Sequence, residues 1–314
     1  MKNNTQQELP KAVMPVLSST VLKWAKRIFT PLALGFIIYF GWQSREILAM
    51  VIANAQPKFL ILAVLMWVMA HFVAPICTLM ALKTCGSSVF YRFAFKSYVD
   101  RLPARYLPGG IWHTVGRVVD FHNHGIKHPY LTGLFLLENI LALGIGFALG
   151  GGCVWYFRGI YDIWGQIAAF AAVSSVIGLV LTPTILNWQV LKHTSKVSYR
   201  FYIQSLGIYI VAWFVLALAF ICYLSAFPLA FGNVSLLEVG ATYLFSWSIG
   251  FITVFAPQGI GVFEIVAGHI LTAPLSLGSI ATLIAGFRVV SFIADVILWG
   301  LLRCFLLLRK RFFV

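Results

Sequence analysis

Ala256-Pro257-Gln258-Gly259-Ile260 interrupts the apolar second half of this chain, and Leu107-Pro108-Gly109-Gly110-Ile111 interrupts the first. Each break lies between two half-length helical stretches and follows a pair of long hydrophobic segments. Proline lacks a backbone donor and glycine loosens the chain, so each site reads as a helix stop followed by a new helix start. Inside a bilayer such backbone is tolerated only where protein or a water-filled cavity surrounds it. Matching breaks in two halves of a chain are the pattern expected where a transporter binds its cargo.

The composition sets the class. Hydrophobic residues make up 61% of the 314 and charged residues 10%, and the mean hydropathy is +0.90. Several apolar stretches exceed the ~20 residues that cross a bilayer. The chain reads as an all-α, polytopic helical membrane protein. Its net charge of +14 does not indicate nucleic acid, because the basic residues cluster at the ends of apolar segments. There they act as topology signals and attract anionic headgroups. Cys77, Cys85, Cys153, Cys222 and Cys304 are scattered, without a Cys-x-x-Cys or a disulfide framework.

Residues 1–24 form a polar cytoplasmic segment, and one transmembrane domain fills 25–310. Lys23, Lys26 and Arg27 precede an apolar run as in a signal peptide, but Arg45 and Glu46 follow it, so an uncleaved first span is expected. Full spans are expected at 29–50, 58–82 (with a kink at Pro75), 130–156, 164–188, 201–227 and 279–302. Segment 92–127 alternates aromatic with charged residues and reads as an amphipathic helix, the Pro108 break and a short helix over 110–121. Segment 236–272 reads as two apolar arms joined at Pro257.

Charge placement selects between topologies. With a cytoplasmic N-terminus and both broken segments re-entrant, only Arg45, Lys58 and Arg158 fall outside, and Arg288 lies in the membrane. That is the bias cytoplasmic loops require. Each half (25–157 and 160–310) then holds three spanning helices and one re-entrant broken hairpin. The odd number of crossings inverts the second half and leaves both termini cytoplasmic. An arm of about 13 residues rises roughly 20 Å, far enough to reach the middle of a ~30 Å core. The two breaks are therefore expected to meet near the midplane.

Two features around the breaks carry chemistry. Unpaired N–H groups at the helix starts near Gly110 and Gly259 suit phosphate or carboxylate, unless both are turns whose donors bond neighbouring helices. Glu138, Glu264, Arg288 and Asp295 lie in apolar helices, where each charge costs roughly 2.5–3.5 kcal/mol at midplane. Glu138 follows Pro108 by 30 residues and Arg288 follows Pro257 by 31, with opposite charge. Pairing of Arg288 with Glu264 or with Glu138 would offset much of that cost, as a gate or as a structural tie. Gly110, His113, Thr114 and Arg117 share one helical face, and Arg117 either meets a phosphate or snorkels to the interface. His71 and His269 read as hydrogen-bonded packing residues. Glu238 is placed at the outer interface. His122, His124 and His128 do not make a convincing metal set beside Gly125 and Pro129. No cofactor motif and no catalytic constellation stands out, so an enzyme is not expected.

Pro257-Gln258-Gly259-Ile260-Gly261-Val262-Phe263-Glu264 resembles the Pro-Gly-Gly-x-Gly-x-x-Glu signature of the lysylphosphatidylglycerol synthase transmembrane family, with Gln258 where that family commonly has glycine. Tyr106-Leu107-Pro108-Gly109-Gly110-Ile111-Trp112-His113, ending in Gly116-Arg117, is similar to the family's earlier Pro-Gly motif. The resemblance covers about residues 25–310. It implies a flippase-like module that moves an anionic phospholipid or lipid-linked envelope intermediate across a bacterial plasma membrane. No soluble stretch matches the aminoacyl-transferase domain of full-length synthases, so lipid aminoacylation is not expected. The expected substrate-binding residues are Gly110, His113, Arg117, Gly259, Glu264, Arg288 and Glu138, with hinges at Pro108, Gly109, Pro257 and Gln258. The alternative is a non-transporting membrane subunit of envelope assembly, alone, self-associated or bound to biosynthetic partners.

Overall fold

The computed structural model describes residues 35, 38–39, 41–106, 112–191, 196–253 and 256–312. Residues 1–24, residues 29–34, 36–37 and 40 of the first expected span, and Pro108, Gly109 and Gly110 lie outside the described residues. The described residues are helical, without strands. In order they form α1 (Arg45–Ala53), α2 (Pro57–Thr84), α3 (Tyr91–Asp100), a 3-10 turn (Leu102–Tyr106) and α4 (Trp112–Asn123). Next come α5 (His128–Ile145), a π-turn (Gly146–Gly151), α6 (Gly152–Arg158), α7 (Ile163–Gln189), α8 (Tyr199–Ser225) and α9 (Pro228–Phe231). The chain ends with α10 (Leu236–Ile252), a 3-10 turn (Pro257–Gly259), α11 (Val262–Ile270), α12 (Leu277–Ala285) and α13 (Phe287–Phe312).

Five helices are long and apolar enough to cross a membrane: α2, the continuous α5–α6 rod His128–Arg158, α7, α8, and the α12–α13 rod Leu277–Leu308. Each overlaps an expected span. Arg45 and Glu46, which follow the first apolar run, open α1, because the backbone turns at Ser44. Side-chain oxygens of Asp162, Ser235 and Ser276 cap α7, α10 and α12 by accepting from first-turn N–H groups. One or two of the free donors of each of those helix starts are thereby satisfied.

Helices α2 and α8 run antiparallel along most of their length. Gln56 N–H donates to the Ala226 carbonyl at one end and Ser198 N–H to the Thr84 carbonyl at the other. Helix α10 is short and enclosed nearly all round, with Tyr243, Phe245, Ser246 and Ser248 buried, as a helix without a polar face must be. The α5–α6 rod reaches it through the π-turn, where a Cβ on Gly150 would lie 2.6 Å from the Phe245 backbone nitrogen. Only glycine permits that approach. Helix α11 folds back against α10. By contrast α7 presents Phe170, Val173, Val176, Ile177 and Val180 outward, an apolar surface suited to hydrocarbon rather than water.

Candidate functional site

Three acids, Glu264 and Asp295 buried and Glu138 partly so, organise the polar interior. Glu264, in the first turn of α11, is fully buried. Its Oε1 accepts from Arg288 Nε at 2.6 Å and its Oε2 from Gly261 N–H at 2.7 Å. Arg288 opens α13, and its side chain keeps 31% exposure. Its two terminal nitrogens lie 3.4 Å from the Gln258 carbonyl. The sequence left two partners open for Arg288; the structure pairs it with Glu264.

Glu138, on α5, pairs instead with Arg117 of α4. Arg117 Nη2 donates to Glu138 Oε1 at 2.8 Å and to Thr78 Oγ1 at 2.7 Å, and the threonine hydroxyl donates to Glu138 Oε1 at 2.6 Å. Only 9% of the Arg117 side chain is exposed, so it does not snorkel to an interface: a carboxylate inside the protein offers it a better partner. Arg117, Glu138 and Thr114 border a cavity of about 10 Å³, room for a single water. Arg117 Nε and His113 Nε2 are buried without a hydrogen-bond partner.

The third acid, Asp295 on α13, is 2% exposed and the most heavily bonded. Oδ1 accepts from Trp67 Nε1 at 3.0 Å and lies 2.6 Å from His71 Nε2. Oδ2 accepts from Tyr106 Oη at 2.9 Å and Arg105 Nη1 at 3.3 Å. Tyr98 Oη lies 3.3 Å from His71 Nδ1 and accepts from Arg105 Nη2 at 3.3 Å. The Arg117 guanidinium sits over the Tyr98 ring at 5.6 Å, which ties this cluster to the Glu138 pair.

The second break joins the same centre. Gln258 stands at φ 54, and Gly259 and Gly261 follow at φ 67 and 83, left-handed backbone that glycine adopts without strain. The turn packs on α10 so closely that a Cβ on Gly259 would lie 2.8 Å from the Gly250 Cα. From it the Gln258 side-chain amide donates to the carbonyl of Arg105, in the turn that leads into the first break.

One expectation needs correction. Gly259 was expected to offer free backbone donors to an anion. Its N–H donates to the Ala256 carbonyl, and the donor of Gly261 is held by Glu264. The helix start is capped from within, because Glu264 at its third position reaches back to it. His113 and Thr114 share the α4 face with Arg117, and the Thr114 hydroxyl lies 3.2 Å from His113 Nδ1. His122 and His128 stack on each other and His124 stacks on Phe93. Among the described residues no group of three or more His, Cys, Asp or Glu gathers as metal ligands do. Glu238 is half-buried and accepts from the Thr272 backbone and hydroxyl.

Sequence reasoning passed over Trp67, His71, Thr78, Tyr98, Arg105 and Tyr106 as site residues. A signal was present: Trp67, His71 and Thr78 recur at i, i+4 and i+11 on α2, one face of an otherwise apolar helix. The fold thus defines an all-helical class with membrane-length helices around a polar, charge-paired interior. In comparisons with known proteins, the chain matches no family model and is similar to no curated protein.

Proposed function

We propose that the chain is a membrane translocase for an anionic phospholipid or lipid-linked envelope intermediate, in a resting arrangement where its own charges satisfy one another. The observation that carries this reading is the bond from Gln258, at the second break, to the Arg105 carbonyl beside the first. A tie between the second break and the turn that precedes the first, beside buried charge, supports a cargo site between two repeats. The ion pairs support the repeat. In one half the helix after the break supplies the base, Arg117, to an acid 21 residues on. In the other it supplies the acid, Glu264, to a base 24 residues on. The reading carries with it the inverted repeat with re-entrant hairpins, both termini cytoplasmic, and a place in a bacterial inner membrane.

In this mechanism Glu264 stands in for cargo. Its carboxylate occupies the Arg288 guanidinium and a helix-start N–H, the two donors that suit a phosphate. Arg288 is the more exposed of the two paired arginines, so an incoming headgroup meets it first. Displacement of Glu264 would then free the turn at Gln258.

The test is lipid movement in vesicles holding the purified chain and a fluorescent phosphatidylglycerol, read by dithionite quenching. Wild type should expose inner-leaflet label faster than protein-free vesicles, and Glu264→Gln and Arg288→Ala should alter that rate. No movement above the protein-free control would refute the reading. The second reading, a non-transporting envelope-assembly subunit, is favoured by the saturation of Asp295 and Glu264, each of whose carboxylate oxygens has a partner. It expects the same variants to lose stability with no lipid movement at any stage.

A further inference from the structure

We propose that His71 and Asp295 form a proton-binding pair whose occupancy sets the strength of the anion site, so that lipid movement is coupled to protons. This inference rests on the translocase reading. Trp67, Arg105 and Tyr106 already give Asp295 three donors, enough to hold a structural carboxylate. His71 adds a titratable ring at 2.6 Å. The other ring nitrogen faces the Tyr98 hydroxyl, which can donate to a bare Nδ1 or accept from an Nδ1–H. The ring therefore has a partner in either protonation state.

The pair also connects to the surface of the protein. Asp295 and His71 are each 2% exposed, but Tyr106, bonded to Asp295 Oδ2, is 40% exposed. In the loading step the Tyr106 O–H bond breaks as its proton forms an O–H at Asp295 Oδ2, and the Tyr106 oxygen takes a proton from a hydronium ion, which is left as water. No electrons are transferred between groups, and the pair gains one proton, which it shares as a unit.

The groups facing the pair fix what loading does. They are Tyr98 of α3, Arg105 and Tyr106 of the 3-10 turn, His113 and Arg117 of α4 beyond Tyr98, and Tyr243 of α10, within electrostatic reach of Arg105. Unloaded, Asp295 neutralises Arg105. Loaded, it leaves Arg105 with unbalanced positive charge, and the carbonyl of that residue holds Gln258. Positive charge beside the breaks draws an anionic headgroup.

Two measurements on the full chain in phosphatidylglycerol-containing vesicles test this. Infrared difference titration should show a carboxyl protonation step that is lost in Asp295→Asn and shifted in His71→Gln. A pH gradient should accelerate lipid movement by up to about tenfold per unit, since one unit is ~1.4 kcal/mol per proton. Nigericin should abolish the acceleration, and in His71→Gln the ratio of rates with and without the gradient should fall to one. A wild type whose lipid movement ignores the gradient overturns the coupling and leaves the translocase reading standing. Wild-type vesicles with no lipid movement overturn both. A titration unchanged by both substitutions overturns the pair, whatever the lipid does.

Discussion

Removing Arg288 should destabilise the protein more than neutralising its partner, and the asymmetry follows from burial. In Arg288→Met the Glu264 carboxylate, fully buried, keeps only the Gly261 N–H. A buried charge stripped of its partner costs about 3–5 kcal/mol. In Glu264→Gln the charge left behind is Arg288, which is 31% exposed and retains the Gln258 carbonyl. The glutamine oxygen can still accept from Gly261, so that loss should be about 1–2 kcal/mol. The double variant removes the stranded carboxylate and should recover about 1–2 kcal/mol relative to Arg288→Met alone. Denaturant unfolding of the purified protein in micelles, followed by far-ultraviolet circular dichroism, measures all three. If Arg288→Met is no costlier than Glu264→Gln, or the double variant is simply additive, the carboxylate is not the stranded charge and the reasoning fails.

Gly259→Ala should lose at least about 2 kcal/mol, from left-handed strain and from the Cβ forced against Gly250, by the same unfolding measurement. Gly250→Ala, whose Cβ would sit 3.3 Å from the Gly259 Cα, should lose less than half as much. Gly150→Leu should abolish the α10 packing, seen as loss of a monodisperse species in size-exclusion chromatography, whereas Gly178→Leu should not, since a Cβ there meets nothing within 4 Å. Burial works against the ionised form of Asp120, but hydrogen bonds from Arg101 and Ser97 outweigh it and hold its pKa below the usual carboxylate value. That stabilisation is present above the unfolded value of ~3.9 and is lost as pH falls through the lowered folded value. Asp120→Asn should therefore flatten the acid limb of the melting-temperature profile below about pH 4.

The helices were legible because hydropathy is local: every membrane-length rod overlaps an apolar stretch that composition alone marks out. The breaks were legible for the same reason, since proline and glycine act on their own backbone. Partner choice was not. Glu138 and Arg288 sit at matching distances from their breaks, which invited a pair between them, yet each found a nearer partner on the helix after its own break. That outcome depends on how hairpins pack, which no spacing reveals. The aromatic and polar members of the Asp295 cluster come from α2, α3, the 3-10 turn and α13. Tyr98 read as one of the aromatic residues and Arg105 as one of the charged residues of an amphipathic helix, and tertiary structure brings both to Asp295 and His71. At the second break the Gly259 donor goes to the Ala256 carbonyl and the Gly261 donor to Glu264, an effect of loop geometry rather than composition.

The three acid centres are not independent sites. Arg117 touches both Glu138 and, through its ring contact, Tyr98. Tyr98 meets His71 and Arg105, and both of these meet Asp295. The onward link to Arg288 and Glu264 runs through one peptide group, the Arg105 carbonyl, which holds the Gln258 side chain. Arg105, itself in the first half, therefore reaches the second half twice, with its guanidinium at Asp295 and with its backbone at Gln258. A guanidinium that loses its counter-charge gains reason to shift, and a carbonyl on the same residue shifts with it. Coupling between distant sites needs an element with two arrangements that both sites bias. The 3-10 turn Leu102–Tyr106 is the element both sites touch, since it ends at the first break, bonds the second, and carries two of the four groups that hold Asp295.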